Sequence, residues 1–256
     1  MLTVRYVIIL CACLPWLRIV RGQMTLLLGA GFIAGAMCMS LSAISYYIAD
    51  NVSALAVAGQ MGVPFSLLFA IIFLGERIRL WRVMGILLCF SGVVIVTFDP
   101  AIINERLGIL LAVGSSLCWA ASSMIFRRLK HVSPLNIHGW VAAVSIIPLI
   151  GASMIFEPGA FQGLGHLSYS AWGWVAYQAL ISTLIGHVGF AWLIQRYPVS
   201  TVSPLTLPTP IIAVLLASWI FNIRLTPVLM LGSALLLLGV AIITLRTRSV
   251  QLGESL

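Results

Sequence analysis

Apolar stretches of about 20 residues, separated by short polar breaks, run from one end of the chain to the other, and few architectures tolerate that pattern. A bilayer core of ~30 Å needs about 20 helical residues to cross it. Inside lipid every main-chain N–H and C=O must find a partner within the protein, which a helix supplies by itself. Nine such stretches are legible, near 2–17, 24–48, 53–74, 81–98, 107–126, 135–156, 170–195, 199–221 and 227–245. The first is short, since its 16 residues rise only about 24 Å. Composition points the same way: 61% of the 256 residues are hydrophobic and 8% are charged. A soluble domain carries about 25% charged residues. The expectation is an all-α polytopic membrane protein with nine transmembrane helices in contact with a lipid bilayer.

The net charge of +8 does not point to nucleic acid, because the basic residues sit in short clusters between the apolar runs. Arg18 and Arg21 form one cluster, Arg77, Arg79 and Arg82 another, and Arg127, Arg128 and Lys130 a third. Such clusters anchor loops on the cytoplasmic side. With the C-terminus in the cytoplasm, that side also receives Arg196, Arg246 and Arg248, making eleven basic residues against three (Arg5, Arg106 and Arg224) opposite. This orientation puts the N-terminus outside. A cleaved signal peptide over 1–17 is excluded on the same ground, since the Arg18/Arg21 end would have to be translocated. The expectation is that one further helix belongs before the first.

Cys11, Cys13, Cys38, Cys89 and Cys118 all lie in apolar runs, with no histidine at metal-ligand spacing. They read as small apolar side chains. No metal site and no cofactor is expected.

An internal repeat organises the chain. Offsetting the sequence by 147 residues aligns 66–98 with 213–245 without a gap, and nine of the 33 columns are identical. Arg77 matches Arg224, Gly85 matches Gly232, Gly92 matches Gly239 and Thr97 matches Thr244. The seven-residue glycine spacing in each copy puts small residues on one helix face, where a neighbouring helix can approach closely. The matched segments are the fourth and ninth spans. They are five spans apart, an odd number, so they cross the membrane in opposite senses. That is an inverted repeat, an arrangement used for alternating access by many secondary transporters.

Leu74-Gly75-Glu76-Arg77, Gly85, Gly92-Val93-Val94, Gly232 and Leu238-Gly239-Val240 together resemble the EamA family of the drug/metabolite transporter superfamily. Cys118-Trp119-Ala120 with Arg127-Arg128 looks like the opening helix of that family's second repeat. Ile185-Gly186-His187, Arg196-Tyr197 and Val202-Ser203-Pro204-Leu205 are similar to an amino-acid-exporting branch of it. The resemblance implies a five-plus-five helix pattern. Residues 1–99 would form the first repeat without its first helix and its Trp-Gly motif, 107–246 the second, and 247–256 a cytoplasmic tail. At the position of the second repeat's loop glutamate stands Ile223, after Asn222.

Asp50, Glu76, Asp99, Glu105, Glu157 and Glu254 fall at span ends, in loops or in the tail, so no carboxylate lies in mid-membrane. An intramembrane ionisable group marks function by default. This pattern therefore argues against a carrier of lipophilic cations. His187 reads as the one titratable side chain well inside a span: a proton relay, or a neutral imidazole bonded to a neighbouring carbonyl. His138, near a span start, reads as interfacial. Gln60 lies mid-span between Gly59 and Gly62, where a buried amide needs partners; it reads as a substrate contact or as a bond between helices. Ser42 and Tyr46 share a face, as do Trp119 and Ser123. Together with Ser116, Tyr177, Gln178 and Ser182 these complete the candidate substrate-binding set, packing being the alternative for each. Pro204, Pro208 and Pro210 crowd the eighth span and predict a kink.

The function that fits is secondary transport, with export of small neutral or zwitterionic, amino-acid-like molecules across a bacterial inner membrane. A membrane-embedded enzyme is the rival, but no nucleophile–base set or metal-ligand pair can be assembled. A transporter remnant inactive for want of its first helix is the second rival. A homodimer is left open.

Overall fold

In the computed structural model, residues 1–74, 80–156, 159, 162–197, 208–221 and 226–253 are described. Among them there are helices and no strand. We number the helices α1 (Leu2–Trp16), α2 (Met24–Ile48), α3 (Val52–Phe73), α4 (Leu80–Thr97), α5 (Arg106–Arg128), α6 (Pro134–Phe156), α7 (Tyr169–Arg196), α8 (Pro208–Phe221) and α9 (Pro227–Gly253). Among the described residues, seven helices are long and apolar enough to cross a membrane: α2 to α7, and α9 over Pro227–Thr244. The stretches 2–17 and 199–221 hold the shorter helices α1 and α8.

Local chemistry sets the ends. Asn51 precedes α3 and its side chain accepts from Ala54 N, while Ser168 precedes α7 and accepts from Ala171 N. Each satisfies one of the orphan donors of a first turn. Pro134, Pro208 and Pro227 stand at the first position of α6, α8 and α9, where a missing N–H costs nothing. The eighth span differs here from the expected kink. Pro208 and Pro210 both lie in the opening turn of α8, whose N–H groups have no intrahelical acceptor anyway, and Pro204 falls outside the described residues.

The chain forms two compact units, each taking segments from both halves of the sequence. One comprises Met1–Ser40 and Ser122–Arg196, the other Leu41–Ala121 and Tyr197–Leu256. In the first, α1 and the start of α2 pack on α6, and α1 also packs on α7. Gly31 and Gly35 bring α2 against α6: a Cβ on Gly35 would land on Ser145 Oγ. Ser145 Oγ donates to Val141 O at 2.6 Å and lies 3.4 Å from Gly31 O. Here α2 widens into a π-helical stretch, Phe32–Met37.

In the second unit, α4 and α9 make the most extensive helix pair. They run antiparallel, and the glycines singled out in the repeat meet crosswise. A Cβ on Gly85 would lie 2.9 Å from Gly239 O, and one on Gly92 would lie 2.5 Å from Gly232 O. Between the two crossings, Cys89 Sγ donates to Leu236 O at 3.6 Å. Cys89 and Leu236 are themselves 147 residues apart, so the pair maps onto itself under the sequence repeat. Ile86, Val93, Val96, Leu236, Val240 and Ile243 fill the flanks of this seam, and Leu55, Val57 and Met61 of α3 belong to the same buried cluster.

Candidate functional site

Polar side chains inside the two units form separate constellations. In Leu41–Ala121 the centre is a break in α3. Gly59–Met61 tightens into a 3-10 turn between the α-helical halves, displacing main-chain carbonyls from the regular ladder. Ser116 of α5, buried, donates to Gly59 O at 2.9 Å and to Ala112 O at 3.0 Å, and lies 3.4 Å from Ala58 O. Trp119, one turn on, presents its indole edge to Gly62: a Cβ there would meet Trp119 Cδ1 at 3.6 Å. Gln60 sits half-buried within the turn. The expected contacts Gln60, Ser116 and Trp119 are thus neighbours, and the glycines on either side of Gln60 give them room.

The end of this unit is stitched by carboxylates. Glu105 Oε1 accepts from Asp50 N at 3.0 Å and Asn51 N at 3.1 Å, holding the turn between α2 and α3. Asp99 Oδ2 accepts from Thr226 Oγ1. Ser45, on the α2 turn that carries Ser42 and Tyr46, donates to Gly108 O at 2.8 Å. Ser42 is half-buried and Tyr46 is exposed.

The other unit holds Ser123, Tyr177 and His187. Ser123 is half-buried on α5. Tyr177 opens a π-helical stretch of α7, Tyr177–His187, with its ring exposed and edge-on to Trp174 at 6.0 Å between centroids. π-helical turns are rare and concentrate at functional sites. His187 closes the stretch and stacks on His138 of α6, with ring centroids 6.3 Å apart and planes 29° apart.

His138 is only 4% exposed, packed edge-on against Phe126, and its Nε2 is buried without a hydrogen-bond partner among the described residues. The interfacial reading of His138 is therefore replaced by an interior one. Arg5 changes place as well. It was counted among the loop charges, but α1 packs it against α7 with 9% exposure, where Nε and Nη2 donate to Thr183 Oγ1 at 3.3 and 2.8 Å. Thr183 in turn donates to Gln178 O at 2.9 Å, five residues back, in the register of the π stretch. Arg5, His138 and Thr183 are the interior polar residues that spacing did not reveal. The available signal was Arg5 itself, a charge within an apolar run.

Residues 106–245 match the EamA-like transporter family. A probable amino-acid metabolite efflux pump of Escherichia coli (strain K12) is 25% identical over 231 residues, which cover 86% of this chain and 76% of the relative. A probable terminal-alkyne amino-acid exporter of Streptantibioticus cattleyicolor is 26% identical over 188 residues, covering 72% of this chain and 61% of the relative. A solved crystal structure shares the fold with a TM-score of 0.65 at 21% identity, over 97% of this chain and 86% of its own. The apolar helices, the repeat motifs and the matched region, which exceeds half of the chain, agree: this protein is a membrane transporter that belongs to the EamA-like transporter family.

Proposed function

We propose that the protein is a secondary transporter that exports small neutral or zwitterionic, amino-acid-like metabolites across a bacterial inner (plasma) membrane, by alternating access between inverted repeats. The repeats are 1–99 and 107–246, with the tail 247–256 in the cytoplasm and nine spans in all. One observation carries the mechanism. Helices α4 and α9, related by the 147-residue offset, pack antiparallel with Gly85 against Gly239 and Gly92 against Gly232, the contact that a two-fold relation between opposed repeats requires. Relatives named as amino-acid metabolite efflux pump and amino-acid exporter support the substrate class.

Ser42, Tyr46, Gln60, Ser116, Trp119, Ser123, Tyr177 and His187 are the side chains we assign to substrate. The hydroxyl of Ser116, the indole of Trp119 and the amide of Gln60 beside the Gly59–Met61 turn suit a small molecule with both donors and acceptors. No helix interior among the described residues offers a carboxylate for a lipophilic cation. Proteoliposomes loaded with L-cysteine, O-acetylserine or other amino acids test the reading: efflux above that of empty lipid supports it, and no flux for any of them overturns it.

A further inference from the structure

Arg5 is a buried cation whose neighbours in its own unit do not neutralise it. Its fork donates twice to one acceptor, Thr183 Oγ1, a hydroxyl that is already committed as a donor to Gln178 O. A hydroxyl offers a dipole, whereas a guanidinium held away from water calls for an anion. Among the described residues of Met1–Ser40 and Ser122–Arg196 there is no Asp or Glu at all. Depth sharpens the point. Thr183 is 14 residues from the start of α7 and 13 from its end, about 20 Å of helix each way, so the guanidinium is held at the middle of a span and not at its edge.

A pair of stacked imidazoles begins one turn away. His187 follows Thr183 by four residues on α7, within electrostatic reach of Arg5. Stacked on it is His138, whose Nε2 is enclosed and unpartnered. Orphaned buried polar atoms are uncommon, and each calls for an explanation. A guanidinium fork binds a carboxylate through charge-assisted hydrogen bonds, and an imidazole with one ring nitrogen unpartnered becomes a second such donor when that nitrogen takes up a proton together with the anion. Both occur here among described residues that include no Asp or Glu.

We propose that Arg5, Thr183 and His138 form a subsite for the carboxylate group of the transported molecule. The carrier would then select carboxylates, amino acids among them, over amines and esters of the same size. This inference rests on the transporter reading for its physiological meaning, but the subsite itself is testable by binding alone.

The experiment measures thermal stabilisation of the purified full-length chain in detergent by 3-mercaptopropionate and by L-cysteine, each against its uncharged or amine counterpart: 3-mercaptopropionamide, L-cysteine methyl ester and cysteamine. The acids are expected to half-saturate at about tenfold lower concentration or better than their counterparts, as a charge-assisted bidentate contact allows. In Arg5→Gln the preference should collapse to within about twofold; Arg5→Lys, which keeps the charge but not the fork, should fall between the two. His138→Phe should weaken the acids and leave the ester unchanged. If the wild-type chain responds equally to acid and amide, or Arg5→Gln keeps the preference, the subsite is refuted. The wild-type comparison decides even where a variant does not fold. Amino-acid flux without acid preference overturns the subsite and leaves transport standing, while acid preference without flux does the reverse.

Discussion

One methyl group placed in the seam between α4 and α9 measures how closely this protein depends on that contact. A Cβ at Gly92 would sit 2.5 Å from Gly232 O and 2.8 Å from Leu236 N. Both are main-chain atoms of the facing helix, so no side-chain rotation relieves the overlap. An ordinary carbon-to-carbonyl contact is about 3.3–3.6 Å, and the helices must therefore part by about 0.8–1.1 Å. A gap of that order forfeits about a quarter to a half of the dispersion well for each facing atom pair. Overpacking of this kind costs about 1–3 kcal/mol. At ~2 kcal/mol the midpoint of thermal unfolding falls by about 4–8 °C for a chain of this length.

The comparison is Gly29→Ala on α2, where no heavy atom lies within 4 Å of the added carbon. It should leave the midpoint unchanged or raise it, since alanine is the better helix former. Gly232→Ala meets the same crossing from the other side, with Gly92 O at 2.6 Å and Val96 Cγ2 at 2.5 Å. Alone it should cost as much as Gly92→Ala. Together the two should cost less than their sum, because the first methyl has already opened the crossing. Tryptophan fluorescence during a thermal ramp in detergent reads the four variants against the unaltered chain. Equal midpoints for Gly92→Ala and Gly29→Ala, or full additivity in the double variant, would refute the reasoning.

Three further outcomes are expected. Glu105→Ala strips the acceptor from two main-chain donors at the α2–α3 turn and should destabilise by about 1–3 kcal/mol, whereas Glu105→Gln keeps an oxygen there and should lose less; chemical denaturation compares them. Cysteines introduced at Leu80 and Pro227, 147 residues apart, should react with a membrane-impermeant maleimide from opposite sides of sealed vesicles, and labelling from one side only would end the inverted-repeat reading. Gln60→Leu should cut amino-acid efflux from proteoliposomes by about tenfold with the unfolding midpoint little changed, as expected for the loss of one buried hydrogen-bonding contact to substrate; unchanged efflux would remove Gln60 from the site.

Most of the membrane-crossing helices were legible in the sequence, to within about two residues at most ends. Met24–Ile48 coincides with its expected stretch, and Pro134–Phe156 and Tyr169–Arg196 each begin one residue earlier than expected. The reason is that the length of an apolar run is set by the bilayer, and Asn51, Ser168 and the prolines at helix starts punctuate the runs with residues that suit only helix ends. The prolines of the eighth span misled because a proline's effect depends on its place in a helix. In the first turn it removes nothing that was bonded.

Within the candidate site, Gln60, Ser116 and Trp119 could be found from the sequence, because glycines beside a mid-span amide leave a local mark. Arg5 and Thr183 are 178 residues apart, and Asn136 holds the main chain of Arg18 from 118 residues away through bonds of 3.0 Å to both its N and its O. Nothing in either segment encodes the other. The sequence by itself settled that the chain lives in lipid, where the seven long apolar helices of the described residues run, and that two of them share a glycine pattern, since hydropathy and spacing act along the chain. Only the tertiary structure decided that those glycines face one another crosswise, and that a charge counted with the loops lies against the middle of α7. Side-chain partners are chosen across helices, by packing and by the need to satisfy each buried polar group, and that choice is made in three dimensions.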